Sequence, residues 1–109
     1  ALLTIEPEIE QALVDGDRRP WLAAVIVPSA EASAAAGSDE ALKLLIAETV
    51  ERANSRLSQI ERVRRFIIAD ERFTIENSQL TATLKVRRHI VRAQYQDRIA
   101  ALYTRGKQY

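Results

Sequence analysis

Trp21-Leu22-Ala23-Ala24-Val25-Ile26-Val27, closed by Pro28, is the stretch that decides the fold of this chain. It is a continuous apolar run of strand length, which is typical of a β-strand buried on both faces. The run at residues 9–14 alternates weakly and also predicts a strand, while Asp15-Gly16-Asp17 between the two runs is a turn signal. We therefore expect the two strands to pair as an antiparallel hairpin.

Two helical patterns follow the hairpin. Residues 29–37 are rich in alanine, and Ser29 and Gly37 stand where an N-cap and a C-cap would, so this segment is either a short helix or a low-complexity linker. Ser38 predicts the cap of a clearer helix. The apolar positions of that helix form one stripe of helical period: Leu42, Leu45, Ile46, Val50, Ala53 and Leu57.

The second half of the chain predicts one more strand and one more helix. Residues 63–69 are suited to a third strand. Residues 86–103 predict a single amphipathic helix, and residues 104–109 look like a polar tail without pattern. The helix carries one apolar stripe: Val91, Tyr95, Ile99 and Leu102. This order predicts an α+β fold, in which helices pack against a small antiparallel or mixed three-stranded sheet.

Composition sets limits on the class of protein. The chain has 109 residues, enough for one domain with one core, and we expect residues 1–109 to be a single domain. It contains no Cys and one His, which excludes disulfides and thiolate chemistry and argues against a structural zinc site. Its longest apolar run is too short to span a bilayer, and no secretory signal is visible. We expect a piece of a cytoplasmic protein.

Charge is distributed unevenly. Residues 1–51 contain three Lys/Arg and ten Asp/Glu, whereas residues 52–109 contain thirteen and five. Lys85, Arg87, Arg88 and Arg92 fall where the last helix is expected to begin, although cations are disfavoured at a helix N-terminus. Two explanations stay open: a bound anion such as phosphate, or pairing of these cations with the acidic first half.

Residues 73–88, FTIENSQLTATLKVRR, carry the functional signal. We expect a polar turn, a short Thr-rich extended segment, and then Lys85 at the start of a basic helix. The segment resembles the C-terminal motif of the acyl-adenylate-forming ligases, in the form found in long-chain fatty acid–CoA ligases. Ser78 stands where that family usually has Gly, and Ala82 where it usually has Pro. The turn needs a left-handed residue, for which Asn77 is an alternative to Ser78.

The resemblance extends over most of the chain, with residues 29–54 the least informative. It implies that residues 1–109 are the mobile C-terminal domain, or lid, of a larger enzyme that activates a fatty acid with ATP and Mg²⁺ and passes it to CoA. It implies that Lys85 is the catalytic lysine of adenylation, and that Arg87 and Arg88 are candidates for contacting nucleotide or CoA phosphates. No metal ligand is expected in this chain. Alone, the chain is expected to be inactive.

The partners implied by the resemblance are an N-terminal adenylation domain and a fatty acid, with peripheral membrane association only for the whole enzyme. The alternative is a non-catalytic module that binds nucleic acid or phosphate through the basic residues between Arg62 and Arg92. Aromatic residues make up only 6% of the chain, and the pI of about 8.4 is modest, which disfavours nucleic acid as a partner. A purely structural interaction domain would make Lys85 dispensable.

Overall fold

The computed structural model describes the backbone of residues 2–16 and 19–106, and side chains within residues 3–16 and 19–103. Asp17, part of the predicted turn, lies outside the described residues. In chain order the elements are a 3₁₀ turn (Leu2–Ile5), β1 (Ile9–Asp15), β2 (Leu22–Pro28), α1 (Ala30–Ala36), α2 (Asp39–Asn54), a 3₁₀ turn (Gln59–Glu61), β3 (Val63–Ile68), α3 (Arg88–Gln94) and α4 (Gln96–Gly106).

The strand β2 is the centre of a three-stranded mixed sheet with the order β1-β2-β3. It pairs with β1 as the predicted antiparallel hairpin, with Leu13 opposite Val25. It pairs with β3 in parallel, with Val25 opposite Ile67. A parallel pair needs a long crossover, and α1 and α2 supply it. The predicted α+β class and the three-stranded sheet are both confirmed.

The two faces of β2 are buried in two different cores, because successive side chains of a strand point to opposite faces. Ala23, Val25 and Val27 face the core that lies beneath α3 and α4, which we call the site-side core. Ala24 and Ile26 face the core beneath α2, where Ile26 is fully buried. The continuous apolar run thus serves two layers of packing rather than one.

Both predicted caps of the crossover form. The Ser29 hydroxyl accepts from the Ala32 amide at 3.1 Å, and Gly37 ends α1 in the left-handed region with φ 80°. The segment is therefore a helix and not a linker. The Ser38 hydroxyl caps α2 by accepting from the Ala41 amide at 3.1 Å. In the part of the chain that the structure describes, no helix is both long and apolar enough to cross a membrane.

The expectation of one helix over residues 86–103 is wrong in two respects. The helix begins at Arg88, because Val86 pairs with Leu80 in an isolated β-bridge and the Arg87 amide donates to the Gln79 carbonyl at 2.8 Å. The helix also breaks at Tyr95, whose backbone leaves the helical region with φ −106° and ψ 16°. The predicted stripe nevertheless holds across the break, since Val91, Tyr95 and Ile99 are all buried. Residues 104–106, expected in the tail, continue α4.

The acidic first half and the basic second half neutralise each other at several points. Glu6 is buried and accepts from Arg52 Nε at 2.7 Å and from Arg56, and these bonds hold the pKa of Glu6 below its ordinary value of 4.5. Other pairs join the halves in the same way: Arg52 with Glu8, Arg72 with Glu10, and Arg92 with Asp15. Mutual pairing therefore accounts for much of the charge asymmetry.

Glu6 is expected to make the stability of the fold depend on pH. Because the pKa of Glu6 is depressed in the folded state, its contribution is complete above pH 4.5 and is lost as the pH falls through the folded pKa. The midpoint of thermal unfolding, followed from about pH 3 to pH 7, should therefore fall steeply at the acid end. Glu6→Gln should unfold at a lower temperature at neutral pH and show a flatter acid profile. Glu48→Gln, which removes an exposed carboxylate of α2, should behave like the unaltered chain; equal profiles for both variants would contradict the assignment.

Candidate functional site

The segment that leads to Lys85 is fixed to the edge of the sheet by one side chain. The Gln11 amide on β1 donates from Nε2 to the Phe73 carbonyl at 2.9 Å, and its Oε1 accepts from the Phe73 amide at 2.8 Å. These two bonds satisfy both backbone groups of Phe73, as a paired strand residue would. The Phe73 ring is fully buried in the site-side core. The start of the functional segment is therefore rigidly anchored.

Asn77 organises the polar turn that follows. Its Oδ1 accepts from the amides of Thr74 and Gln79, each at 3.0 Å, and its Nδ2 donates to the Arg72 carbonyl at 2.9 Å. The left-handed residue of the turn is Ser78, with φ 68°, and not Asn77. Asn77 instead holds the turn together through its side-chain hydrogen bonds. A non-glycine residue in this region costs about 1–2 kcal/mol.

Residues 81–85 form a tight turn and not the extended segment expected from their threonines. The Leu84 amide donates to the Thr81 carbonyl at 2.8 Å, and the Thr81 amide donates to the Lys85 carbonyl at 2.8 Å. Leu84 lies in the left-handed region with φ 65°, where such a turn usually has Gly. The bridge between Leu80 and Val86 closes the base of the turn. We call residues 81–85 the lysine turn.

Lys85 sits at the end of this turn, ahead of α3 rather than within it, and its side chain is exposed. Within residues 2–16 and 19–106, no hydrogen bond or ion pair engages its ammonium group. Leu84 beside it is also exposed, at 66% of its maximal area. A rigid backbone therefore presents a free cation and an apolar side chain to the outside of the domain.

The four cations expected to meet at the start of the last helix do not converge. Arg88 turns towards β1, and its Nη2 donates to the Val14 carbonyl at 2.5 Å. Arg92 Nε lies 3.1 Å from the Asp15 carboxylate at the end of the same strand. Arg87 is half-buried, and its side chain makes no hydrogen bond that caps α3. Within the described residues, Arg88 and Arg92 are thus held by polar partners, whereas the side chains of Lys85 and Arg87 are not.

Tyr103 ties α4 to both ends of the hairpin turn. Its hydroxyl lies 2.9 Å from the carbonyls of Asp15 and Trp21, and its ring stacks on Trp21 with centroids 5.4 Å apart. The Arg19 guanidinium lies over the same ring at 4.6 Å. Burial raises the pKa of the Tyr103 hydroxyl, which keeps it protonated as a donor. These aromatic side chains therefore pack α4 against the hairpin.

Sequence reasoning missed the residues that hold the site in place. Gln11 is part of a strand pattern and gives no sign of pairing with Phe73. The motif that contains Thr81 predicts a function for Lys85 and indicates no structural role for Thr81. The signal that would have revealed the lysine turn is a glycine at its left-handed position, and Leu84 stands there instead.

Several known proteins are similar to this chain in sequence. A family model described as the AMP-binding enzyme C-terminal domain matches residues 1–107. A chloroplastic long-chain-fatty-acid–[acyl-carrier-protein] ligase of Arabidopsis thaliana is 36% identical, over 88% of this chain and 13% of its own length. A long-chain-fatty-acid–CoA ligase of Mycobacterium tuberculosis is 33% identical, over 94% of this chain and 20% of its own length. The chain thus spans a fifth or less of these relatives.

Solved structures agree with the sequence comparison. The adenylation domain of a carboxylate reductase from Mycobacterium chelonae superposes with a TM-score of 0.84 at 34% identity, covering 95% of this chain and 17% of that one. A didomain of a carboxylic acid reductase from Segniliparus rugosus in complex with AMP superposes with a TM-score of 0.83 at 36% identity, covering 95% and 15%. In such proteins this fold is one part of a larger adenylating chain.

Replacing Ser78 with glycine is expected to stabilise the domain. Glycine relieves the left-handed backbone at φ 68° but adds freedom to the unfolded chain, so the free energy of unfolding should rise by about 0.5–1 kcal/mol. Denaturant unfolding would measure the change. The control is Ser33→Gly on the exposed side of α1, which should lower stability by about 0.5–1 kcal/mol. A loss of stability in both variants would show that Ser78 is not strained.

Proposed function

Since this chain belongs to the family of AMP-binding enzyme C-terminal domains, we propose that it is the lid of an AMP-forming long-chain fatty acid–CoA ligase. The lid works together with an N-terminal adenylation domain that binds ATP and the fatty acid. Lys85 supplies a positive charge to the first half-reaction, and the lid then rotates for the second. The observation that carries the proposal is that Lys85 lies at the end of a rigid turn with its side chain exposed and, among the described residues, without a hydrogen-bond or ion-pair partner.

The first half-reaction explains why a mobile cation is useful. The fatty acid carboxylate attacks the α-phosphate of ATP and displaces pyrophosphate, which gives acyl-AMP. Two anionic groups must approach each other, and a positioned cation lowers the barrier by stabilising the charge that they share. The Lys85 ammonium is a compact charge on a flexible stem and suits this role. The geometry supports it because the backbone of Lys85 is held while its side chain is free.

The second half-reaction needs the lysine to leave. The CoA thiol attacks the acyl carbonyl and expels AMP, so the cation that joined carboxylate to phosphate is no longer required at that place. Rotation of a small domain about a hinge moves Lys85 away. Packing of Phe73 and Leu80 into the site-side core and the bridge between Leu80 and Val86 tie the lysine turn to the domain, so rotation of the domain would carry Lys85 with it.

Arg87 and Arg88 are the further candidates for contacts with nucleotide or CoA phosphates. Among the described residues no hydrogen bond or ion pair engages the half-buried Arg87 side chain, whereas the exposed Arg88 already donates to the Val14 carbonyl. Within the described residues no three His, Asp or Glu side chains converge as a metal site. We propose that the Mg²⁺ that accompanies ATP is bound by the ATP phosphates and the N-terminal adenylation domain.

The role of Lys85 is tested by Lys85→Ala in a full-length enzyme with this lid. Adenylation, followed as acyl-AMP formation from fatty acid and ATP, should fall about 100- to 1,000-fold, as when one electrostatic group is removed. Acyl-CoA formation from pre-made acyl-AMP should stay within about threefold, because the lysine acts in one half-reaction only.

The matched control is Lys43→Ala, which removes an exposed lysine of α2 and should leave both half-reactions unchanged. Normal adenylation in the Lys85→Ala enzyme would overturn the assignment of the catalytic lysine. An equal fall in both half-reactions would show instead that Lys85 supports the fold of the enzyme.

A second acceptor of the acyl group should also be tested. The similar proteins include a ligase named for an acyl carrier protein as well as one named for CoA. We propose CoA on the strength of the residue 73–88 motif. The enzyme should transfer acyl groups from acyl-AMP to CoA at least about tenfold faster than to a carrier protein bearing phosphopantetheine, which is a discrimination of about 1.4 kcal/mol. Faster loading of the carrier protein would reassign the acceptor and leave the role of Lys85 intact.

A further inference from the structure

Thr81 contacts the main chain of Lys85 on both sides. Its amide donates to the Lys85 carbonyl at 2.8 Å, and its hydroxyl Oγ1 accepts from the Lys85 amide at 3.1 Å. Its carbonyl also accepts from the Leu84 amide at 2.8 Å. One half-buried threonine therefore satisfies both backbone groups of the lysine, while the side chains of residues 82–85 remain exposed.

The Thr81 hydroxyl has a particular task among these contacts. The two backbone bonds define the turn and would form with many residue types at position 81. The additional bond from the Lys85 amide needs a side chain with an acceptor oxygen at position 81, and the Thr81 hydroxyl provides it. That amide lies directly after Leu84, whose backbone is in the left-handed region with φ 65°. A strained conformation persists only where its surroundings over-determine it, and the hydroxyl supplies the additional restraint.

We propose that Thr81 is the positioning residue of Lys85: its hydroxyl fixes the Lys85 backbone so that the ammonium enters the active site in one orientation. This inference rests on the proposed function, since it concerns the same lysine. Thr81 touches neither substrate nor the reacting atoms and acts only through Lys85. The benefit is entropic, because a lysine on a fixed backbone has only its own side-chain torsions left to order.

Thr83 offers a matched comparison on the same turn. Its hydroxyl lies 3.1 Å from the Thr81 hydroxyl but does not bond to the backbone of Lys85. Its side chain is exposed, so replacement by valine removes the same chemical group at a similar cost to folding. A difference between the two valine variants isolates the bond to the Lys85 amide.

The experiment uses a full-length enzyme that carries this lid and compares Thr81→Val, Thr81→Ser and Thr83→Val. Thr81→Val should lower acyl-AMP formation about 10- to 100-fold, as expected for misplacement of a catalytic group, while acyl-CoA formation from pre-made acyl-AMP stays within about threefold. Thr81→Ser keeps the hydroxyl and should restore adenylation to within about threefold of the unaltered enzyme. Thr83→Val should behave like Thr81→Ser.

A double-mutant cycle shows whether Thr81 acts through the lysine. In the Lys85→Ala background, Thr81→Val should cause no further fall in adenylation, because the group that it positions is gone. Equal additional loss in both backgrounds would overturn the proposal and give Thr81 a role in folding. Hydrogen exchange of the Lys85 amide in this chain supplies a readout independent of activity: it should be faster with Thr81→Val and unchanged with Thr83→Val.

The outcomes separate this inference from the function on which it rests. If Lys85→Ala abolishes adenylation and Thr81→Val leaves it intact, only the positioning role fails. If Lys85→Ala leaves adenylation intact, the proposed function fails first. Unchanged exchange of the Lys85 amide in Thr81→Val would contradict the hydrogen bond itself.

Discussion

The burial of β2 on both faces is the constraint on which the rest of the structure depends. A single strand with alternate residues in two cores needs cover on both sides, and the chain supplies it from different regions. Helix α2 of the crossover covers one face, whereas the segment from Phe73 to Tyr103 covers the other. The lysine turn lies in the segment from Phe73 to Tyr103. Its position is therefore set by the sheet, through Phe73 in the core and Gln11 at the edge.

Charge pairing engages several arginines of the second half, and among the described residues Lys85 has no such partner. The arginines that meet carboxylates of the first half are held to the surface of the domain: Arg52, Arg56, Arg72 and Arg92. Arg88 is committed to a backbone carbonyl of β1. Lys85 stands apart on a turn that projects from the bridge between Leu80 and Val86. Pairing between the acidic first half and the basic second half thus contributes to the cohesion of the domain, and among the described residues Lys85 takes no part in it.

The sequence was informative where side-chain pattern determines structure and uninformative where backbone geometry does. The strands, both caps of the crossover and the buried stripe of the last helices follow from apolar spacing and from Ser and Gly at helix ends. The lysine turn could not be predicted, because Thr81 and Thr83 favour strands by propensity while hydrogen bonds to the Lys85 backbone decide the outcome.

For the candidate site as well, the sequence predicted some features and the structure alone revealed others. The resemblance of residues 73–88 to an adenylating ligase pointed to Lys85 and its two neighbouring arginines, and membership of the family agrees with it. Geometry alone added that Arg88 faces β1, that Ser78 rather than Asn77 is left-handed, and that Gln11 anchors the segment from 62 residues away in sequence. Pairing over such a distance leaves no local signature in a single sequence.

The hydroxyl of Tyr103 has a consequence for the way this domain is made. It reaches the carbonyls on both sides of the hairpin turn, and its ring closes the core above Val25. During synthesis the hairpin leaves the ribosome about eighty residues before Tyr103 does. Throughout that interval the face of β2 that carries Ala23, Val25 and Val27 is without the residues of the last helices that bury it in the folded domain. The domain must therefore mature late, when translation has passed α4, however early its strands are able to pair.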